Sequence, residues 1–170
     1  QVKVSLIHED GKEFILSLLG EGEVFGELSL LDGQPRSANV TAMTETQLVM
    51  LQRSDFRALL SKIPQIAVSL LEELAQRLRR SDDQVEGLAL LDVHHRVAKT
   101  ILRLATDQGE PAPGGVMITG RPTHQQLANM AGTTRETVTR ELKQLEQQGY
   151  ITTRGRDIIV LTPDEAGKEG

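Results

Sequence analysis

The order of apolar and polar residues changes character twice along the chain. From Val2 to Ile7 the two kinds alternate, Asp10-Gly11 offers a turn, and Glu13 to Leu19 resumes the pattern, which predicts a β-hairpin. A strand that opens at residue 1 without a partner before it leads us to expect a longer natural protein, with earlier strands of the same sheet. Gly20, Gly22, Gly26 and Gly33 punctuate the next stretch, and Ser37 to Thr41 and Gln47 to Leu51 read as further short strands. Short strands at close spacing with glycine turns predict a β-sandwich or roll.

At Ser54-Asp55 the period becomes helical. A short helix begins there, and Pro64 suits the first turn of a much longer one that runs to about Leu90. Within it Leu71, Leu74, Leu78, Ser81, Val85 and Leu88 are spaced 3, 4, 3, 4, 3, the a/d series of a coiled-coil seam. One face of a helix packed on its own domain shows similar spacing. The length of the stripe and its narrowness, with Arg77, Arg79 and Arg80 outside it, favour a self-associating helix over residues 63–91.

Asp92 is a good N-cap for a new helix, Val93 to Ala105, and marks a domain boundary. A Gly/Pro-rich loop, Asp107 to Gly115, leads to a short strand at Val116-Met117-Ile118. Thr123-His124-Gln125-Gln126 then forms a capping box, Gly132 supplies a tight turn, and Thr133 with Glu136 forms a second box. Two capped helices joined in this way predict a helix-turn-helix, the second helix burying Val138, Leu142 and Leu145. Ile151 to Leu161 reads as a hairpin turning at residues 154–157, which completes a winged helix. The domains expected are therefore 1–62, 63–91, 92–163 and a polar, frayed tail at 164–170.

Whole-chain charge taken alone opposes nucleic acid as a partner: 19 Lys+Arg against 24 Asp+Glu give a net charge of -5. The distribution corrects this. Residues 1–91 carry 9 basic and 14 acidic side chains, and residues 92–160 carry 9 and 7. The acidity belongs to the front, and the helix-turn-helix region is mildly basic. Cysteine is absent, which excludes a disulfide framework, a thiolate metal site and a thiol nucleophile within these residues. No apolar run approaches a membrane span, so a soluble, cytoplasmic protein without a membrane partner is expected.

The first turns of the second helix expose Arg135, Glu136, Thr137, Thr139 and Arg140. In a helix-turn-helix such residues meet base edges in the major groove. Arg135 and Arg140 each offer a bidentate fork to guanine, and Glu136 either accepts from cytosine or only caps the helix. Arg154 and Arg156 flank Gly155 on the wing and suit phosphate. In the front half, Gly26 permits close backbone approach to a ligand, Arg36 and Ser37 offer a charge and a hydroxyl for a phosphate, and Glu27 can accept from a ribose hydroxyl. No base–nucleophile pair or metal-ligand cluster accompanies them, so an enzyme is not expected. His94 and His95 open a helix after its cap and have no further ligands that would point to a metal or haem.

Gly26-Glu27-Leu28, then Pro35-Arg36-Ser37-Ala38, the long helix with a polar Ser81, Leu91-Asp92 and Arg135-Glu136-Thr137-Val138 with Arg140 occur in one order. Together they resemble the bacterial cAMP receptor protein (Crp/Fnr) family of transcription factors over almost the whole chain. The resemblance implies an α+β protein: a cyclic-nucleotide-binding β-roll incomplete at its N-terminus, a long dimerisation helix, and a C-terminal winged helix-turn-helix. It implies a homodimer that answers to cAMP and binds double-stranded DNA at a pseudo-palindrome with TGTGA-like half-sites.

By the same resemblance Gly26 and Leu28 give backbone contacts to the nucleotide, Glu27 takes the ribose 2′-hydroxyl, and Arg36 and Ser37 hold the cyclic phosphate. Two adjacent hydroxyl residues on the dimer helix reach the adenine in cAMP-binding members. Ser81 matches the first, whereas Asp82 departs from the second, which leaves cyclic di-GMP, a haem-bound gas or no ligand as alternatives. Arg77 matches a basic position near the pocket loosely. Arg135, Glu136 and Arg140 match the base-reading residues, Arg154 and Arg156 fall on the wing, and His124, Gln125, Thr134 and Thr137 are implied phosphate contacts. The loop Thr106 to Gly115 stands where family members meet RNA polymerase.

Overall fold

The N-terminal alternation does fold as a hairpin. In the computed structural model, which describes residues 1–162, β1 (Val2–Ile7) pairs antiparallel with β2 (Glu13–Leu19), Val2 lying opposite Leu19 and Ile7 opposite Glu13. Gly11 makes the turn possible at φ 84°. On its other side β1 pairs with β3 (Asn39–Ala42), which gives the strand order β2-β1-β3. Val2, Ile15 and Leu19 turn to one face and are buried. The strand expected from Ser37 starts two residues later, at Asn39. The strand expected over Gln47 to Leu51 does not form. An apolar segment needs a neighbouring strand to bond and a face to bury against, and here Leu48, Val49 and Met50 remain exposed.

Two helices flank that segment. α1 (Glu27–Asp32) was not apparent from the pattern; left-handed glycines bound it, Gly26 and Gly33, both at φ 77°. α2 (Arg53–Lys62) follows, with Phe56 its buried residue. α3 (Pro64–Leu90) starts at the expected proline and runs unbroken for 27 residues. Its seam stays open to solvent in a single chain, Leu71 at 67%, Leu78 at 64% and Val85 at 64% exposed. Apart from Leu74, which is half-buried, this face is not packed on its own unit.

The chain divides into two units, Gln1–Val85 and a second that begins at Glu86. In the second, Asp92 caps α4 (Val93–Gln108) by accepting from the His95 N–H at 2.9 Å. β4 (Glu110–Ala112) and β5 (Gly115–Ile118) follow, then α5 (His124–Ala131), α6 (Arg135–Gln147), β6 (Ile151–Arg154) and β7 (Asp157–Leu161). The strands form an antiparallel sheet of order β4-β5-β7-β6. Most of the expected Gly/Pro loop is thus structured: β4 contains Pro111 yet pairs, because an edge strand leaves one side's N–H groups outside the ladder.

The 3,4 spacing on α4, α5 and α6 points Val97, Ile101, Leu104, Leu127, Met130, Val138, Leu142 and Leu145 into one core, closed by Ile118 and Ile158 from the sheet. Burying each such side chain contributes roughly 1.5–3 kcal/mol. The architecture is the expected α+β one, with β-roll strands, a long helix and a winged helix-turn-helix. The tail at 164–170 and the last residue of the expected 92–163 domain lie outside the described residues.

Candidate nucleotide and DNA sites

The Gly26 turn gathers the front-half candidates. Glu27 opens α1 and is 4% exposed. A carboxylate at that depth requires compensation, and Arg77 on α3 supplies it: Nη1 donates to Glu27 Oε1 at 2.9 Å and Nε donates to Glu73 Oε1 at 2.9 Å. The third guanidinium nitrogen donates to the Val24 carbonyl. Arg77 therefore ties three parts of one unit together. Glu27 Oε2, by contrast, is buried with no hydrogen-bond partner.

Arg36 lies across the same turn and donates to the Gly26 carbonyl. A Cβ at residue 26 would collide with that guanidinium, and φ 77° already selects glycine there. Leu28, Arg36 and Ser37 are exposed. An orphaned buried acceptor, a nearby guanidinium and an exposed hydroxyl fit a sugar phosphate: one acceptor for a hydroxyl, one cation and one donor for the anion. Ser81 and Asp82 lie exposed on α3, and the Ser81 hydroxyl donates back to the Arg77 carbonyl at 3.0 Å.

In the second unit the Thr123 capping box closes as expected, the Thr hydroxyl accepting from Gln126 N–H and the Gln126 side chain accepting from Thr123 N–H at 2.8 Å. The second cap falls one residue later than expected. Thr133 N–H closes α5 onto the Ala128 carbonyl at 3.0 Å, so Thr134 becomes the N-cap and accepts from Thr137 N–H at 3.3 Å. Glu136 is consequently outside a capping box with Thr133. Its carboxyl is still held below the ordinary glutamate range, first by its own backbone N–H and then by the Thr134 hydroxyl.

Arg135, Glu136, Thr139 and Arg140 form one exposed face of α6, opposite Val138, Leu142 and Leu145. Thr134, expected at phosphate, uses its hydroxyl on Thr137, and Gln125 donates to Asn129 Oδ1 at 2.9 Å. His124, also expected at phosphate, has both ring nitrogens engaged within the domain. Arg121 donates to Nε2 at 3.0 Å, so Nδ1 must carry the proton, and it lies 2.7 Å from the Thr139 hydroxyl. Burial, then the charges of Arg121 and Arg135, push the His124 pKa down, in agreement with this neutral tautomer.

Three groups went unnoticed in the sequence. Arg121 is partly buried, and its backbone N–H donates to the Arg156 carbonyl at 2.8 Å, joining the wing to the start of α5. No pattern announced it. Glu146 on α6 accepts from Thr153 N–H at 2.9 Å and its hydroxyl at 2.6 Å, which fixes the first wing strand. Glu141 did carry a signal, because an acid between Val138 and Leu145 on the buried face requires a partner. Arg154 and Arg156 stand exposed at the wing tip, where Gly155 turns at φ 61°.

Residues 1–63 match the model of the cyclic nucleotide-binding domain, and residues 95–165 that of the Crp-like helix-turn-helix domain. The chain is 40% identical over 161 residues to the cAMP-activated global transcriptional regulator CRP of Pasteurella multocida, covering 94% of this chain and 76% of that protein. Among solved structures, a mutant of CooA from Carboxydothermus hydrogenoformans matches with a TM-score of 0.83 at 25% identity, over 97% of this chain and 72% of that one. The c-di-GMP responsive global regulator CLP of Xanthomonas campestris matches at 0.78 and 26%, over 95% and 80%. With a cyclic nucleotide-binding fold in front and a winged helix-turn-helix behind, the chain belongs to the Crp/Fnr family of DNA-binding transcription regulators.

Proposed function

We propose that the protein is a homodimeric regulator whose DNA binding answers to cAMP held at the Gly26 turn. The observation that carries this reading is Glu27, buried, with one oxygen on Arg77 and the other unpartnered. A ribose 2′-hydroxyl is a neutral donor of the kind that oxygen lacks. Gly26 and Leu28 would offer backbone groups, and Arg36, released from the Gly26 carbonyl, would pair with the cyclic phosphate beside Ser37. Ser81 lies on the seam of the dimer helix, so a base that reaches it reports to both subunits, the differential contact a switch requires. Asp92 caps the helix at the start of the DNA-binding domain and serves as the hinge.

On DNA, Arg135, Glu136 and Arg140 read bases, Arg154 and Arg156 take phosphate from the wing, and Gln125 and Thr137 take it from the helix-turn-helix. His124 and Thr134 contribute by shaping that surface. The two-fold dimer calls for half-sites about one helical turn apart. The segment 106–115 is our assignment for contact with RNA polymerase.

Asp82 favours a second reading, in which the base differs from adenine, since a carboxylate replaces the second hydroxyl expected there. Calorimetric titration of the dimer with cAMP and, separately, with cyclic di-GMP decides between them. Saturable heat with cAMP that Arg36→Ala abolishes, together with cAMP-dependent binding to a TGTGA palindrome, is the expected result. Heat with cyclic di-GMP alone would establish the second reading.

A further inference from the structure

Arg140 stands on the exposed face of α6, but one edge of its guanidinium is already occupied. Nε and Nη2 donate to Glu141 Oε1 at 3.1 and 3.0 Å. Glu141 is 4% exposed, and its other oxygen lies 2.8 Å from Nδ1 of His94. An ionised carboxylate only accepts, so Nδ1 carries the proton and donates. His94 belongs to the first turn of α4, and Glu141 to the buried face of α6. The carboxylate thus divides its two oxygens between a fixed group behind it and the arginine in front.

We propose that Glu141 is a positioning residue for DNA recognition, holding the Arg140 fork in its reading orientation and anchored for this purpose by His94. Glu141 takes the Nε edge of the guanidinium, and the Nη1–Nη2 end is the edge that remains for a bidentate contact to guanine O6 and N7. A long arginine loses rotamer freedom when it docks. Here much of that ordering precedes DNA, which raises affinity and discrimination without any new contact to the base. The inference rests on the assignment of Arg140 to base reading.

The test compares the dimer with its Glu141→Leu, Glu141→Gln, His94→Ala and Arg140→Ala variants in the presence of saturating nucleotide. Each is titrated against a TGTGA palindrome and against duplexes in which one position is changed symmetrically in both half-sites. In Arg140→Ala, discrimination at one position should vanish. Glu141→Leu, which keeps volume in a buried place, should lower discrimination at that same position five- to tenfold and leave the position read by Arg135 unchanged. Glu141→Gln should recover most of it, because its carbonyl still accepts from Arg140, and His94→Ala should lose two- to threefold.

The Nε–H resonance of Arg140 provides a readout without DNA. It should be protected from exchange in the wild type and Glu141→Gln, and lost in Glu141→Leu; if the leucine variant fails to fold, Glu141→Gln and His94→Ala carry the comparison through the same two readouts. Loss of discrimination in Arg140→Ala with wild-type discrimination in the Glu141 and His94 variants would overturn the positioning role alone. Unchanged base preference in Arg140→Ala would overturn the base-reading assignment itself, and the positioning role with it.

Discussion

Arg77 follows Glu27 by fifty positions in the chain and meets it at 2.9 Å in space. The pair joins the Gly26 turn to α3 within one unit, and it does so with one carboxylate oxygen left over. Removing one partner of a buried pair costs about 3–5 kcal/mol in the general case. Arg77 is 26% exposed on its side chain, and partial solvation lowers the expected loss to about 2 kcal/mol.

Arg77→Ala should therefore destabilise the first unit by that amount in chemical denaturation and weaken nucleotide binding as well. Glu27→Ala removes the buried charge and leaves Arg77 with Glu73 and the Val24 carbonyl. It should cost less stability but at least as much nucleotide affinity. Wild-type stability in Arg77→Ala would show that the Glu27 carboxylate is solvated without its partner.

The proposed dimer seam offers a second test. Leu78 is 64% exposed in one chain and sits between Leu74 and Ser81 in the a/d series. Burying it in each protomer contributes about 2 kcal/mol per leucine, and Leu78→Glu replaces that contribution with facing like charges on the two-fold axis. Sedimentation should show a monomer, and binding to a palindrome should fall to the level of a single half-site. A Leu78→Glu variant that still sediments as a dimer would move the interface off this stripe.

Acid should act through Glu141. Its carboxyl is held below the ordinary glutamate range chiefly by the His94 hydrogen bond, with Arg140 adding to it and burial opposing. A group depressed in the folded state contributes its stability in full above the unfolded value and loses it as pH falls through the folded one. Glu146 shares that sign through Thr153. Denaturation midpoints measured from about pH 7 down to about pH 3 should fall more steeply for the wild type than for Glu141→Gln. Parallel curves would remove the carboxylate from the account.

What the sequence made legible was whatever depends on near neighbours or on a long period. The Thr123 box joins residues three positions apart, and the α3 stripe runs through six positions; the box and the helix both formed as expected. The second cap shifted from Thr133 to Thr134 because the preceding helix claims the Thr133 N–H, a contact no i, i+3 pattern contains. α1 is too short to show a period, and its glycines look like plain turns. The segment Gln47 to Leu51 had strand composition and lacked a strand beside it. At the site, residue types pointed to Glu27 and Arg36. The pairs Glu27–Arg77 and His94–Glu141 join positions dozens of residues apart, and only the tertiary fold brings them together.

The wing and the recognition helix should separate in their response to salt and sequence. Residues 92–160 carry only two more basic than acidic side chains, so non-specific attraction is modest and placed arginines matter more than total charge. Arg156 stands at the wing tip, its backbone carbonyl held by Arg121 and its Nη2 donating to the Arg121 carbonyl at 3.3 Å. A cation fixed in that way suits a phosphate contact and is not aimed at base edges under the proposed reading. Arg156→Ala should weaken binding to specific and random duplexes by the same factor and reduce the slope of log affinity against log salt by about 1. Arg135→Ala should cost roughly 1–3 kcal/mol on the specific duplex, relax one base position, and change random binding far less. Equal losses on specific and random DNA for Arg135→Ala would place Arg135 at phosphate, whereas the contrast between the two variants would assign α6 to sequence and the wing to the backbone.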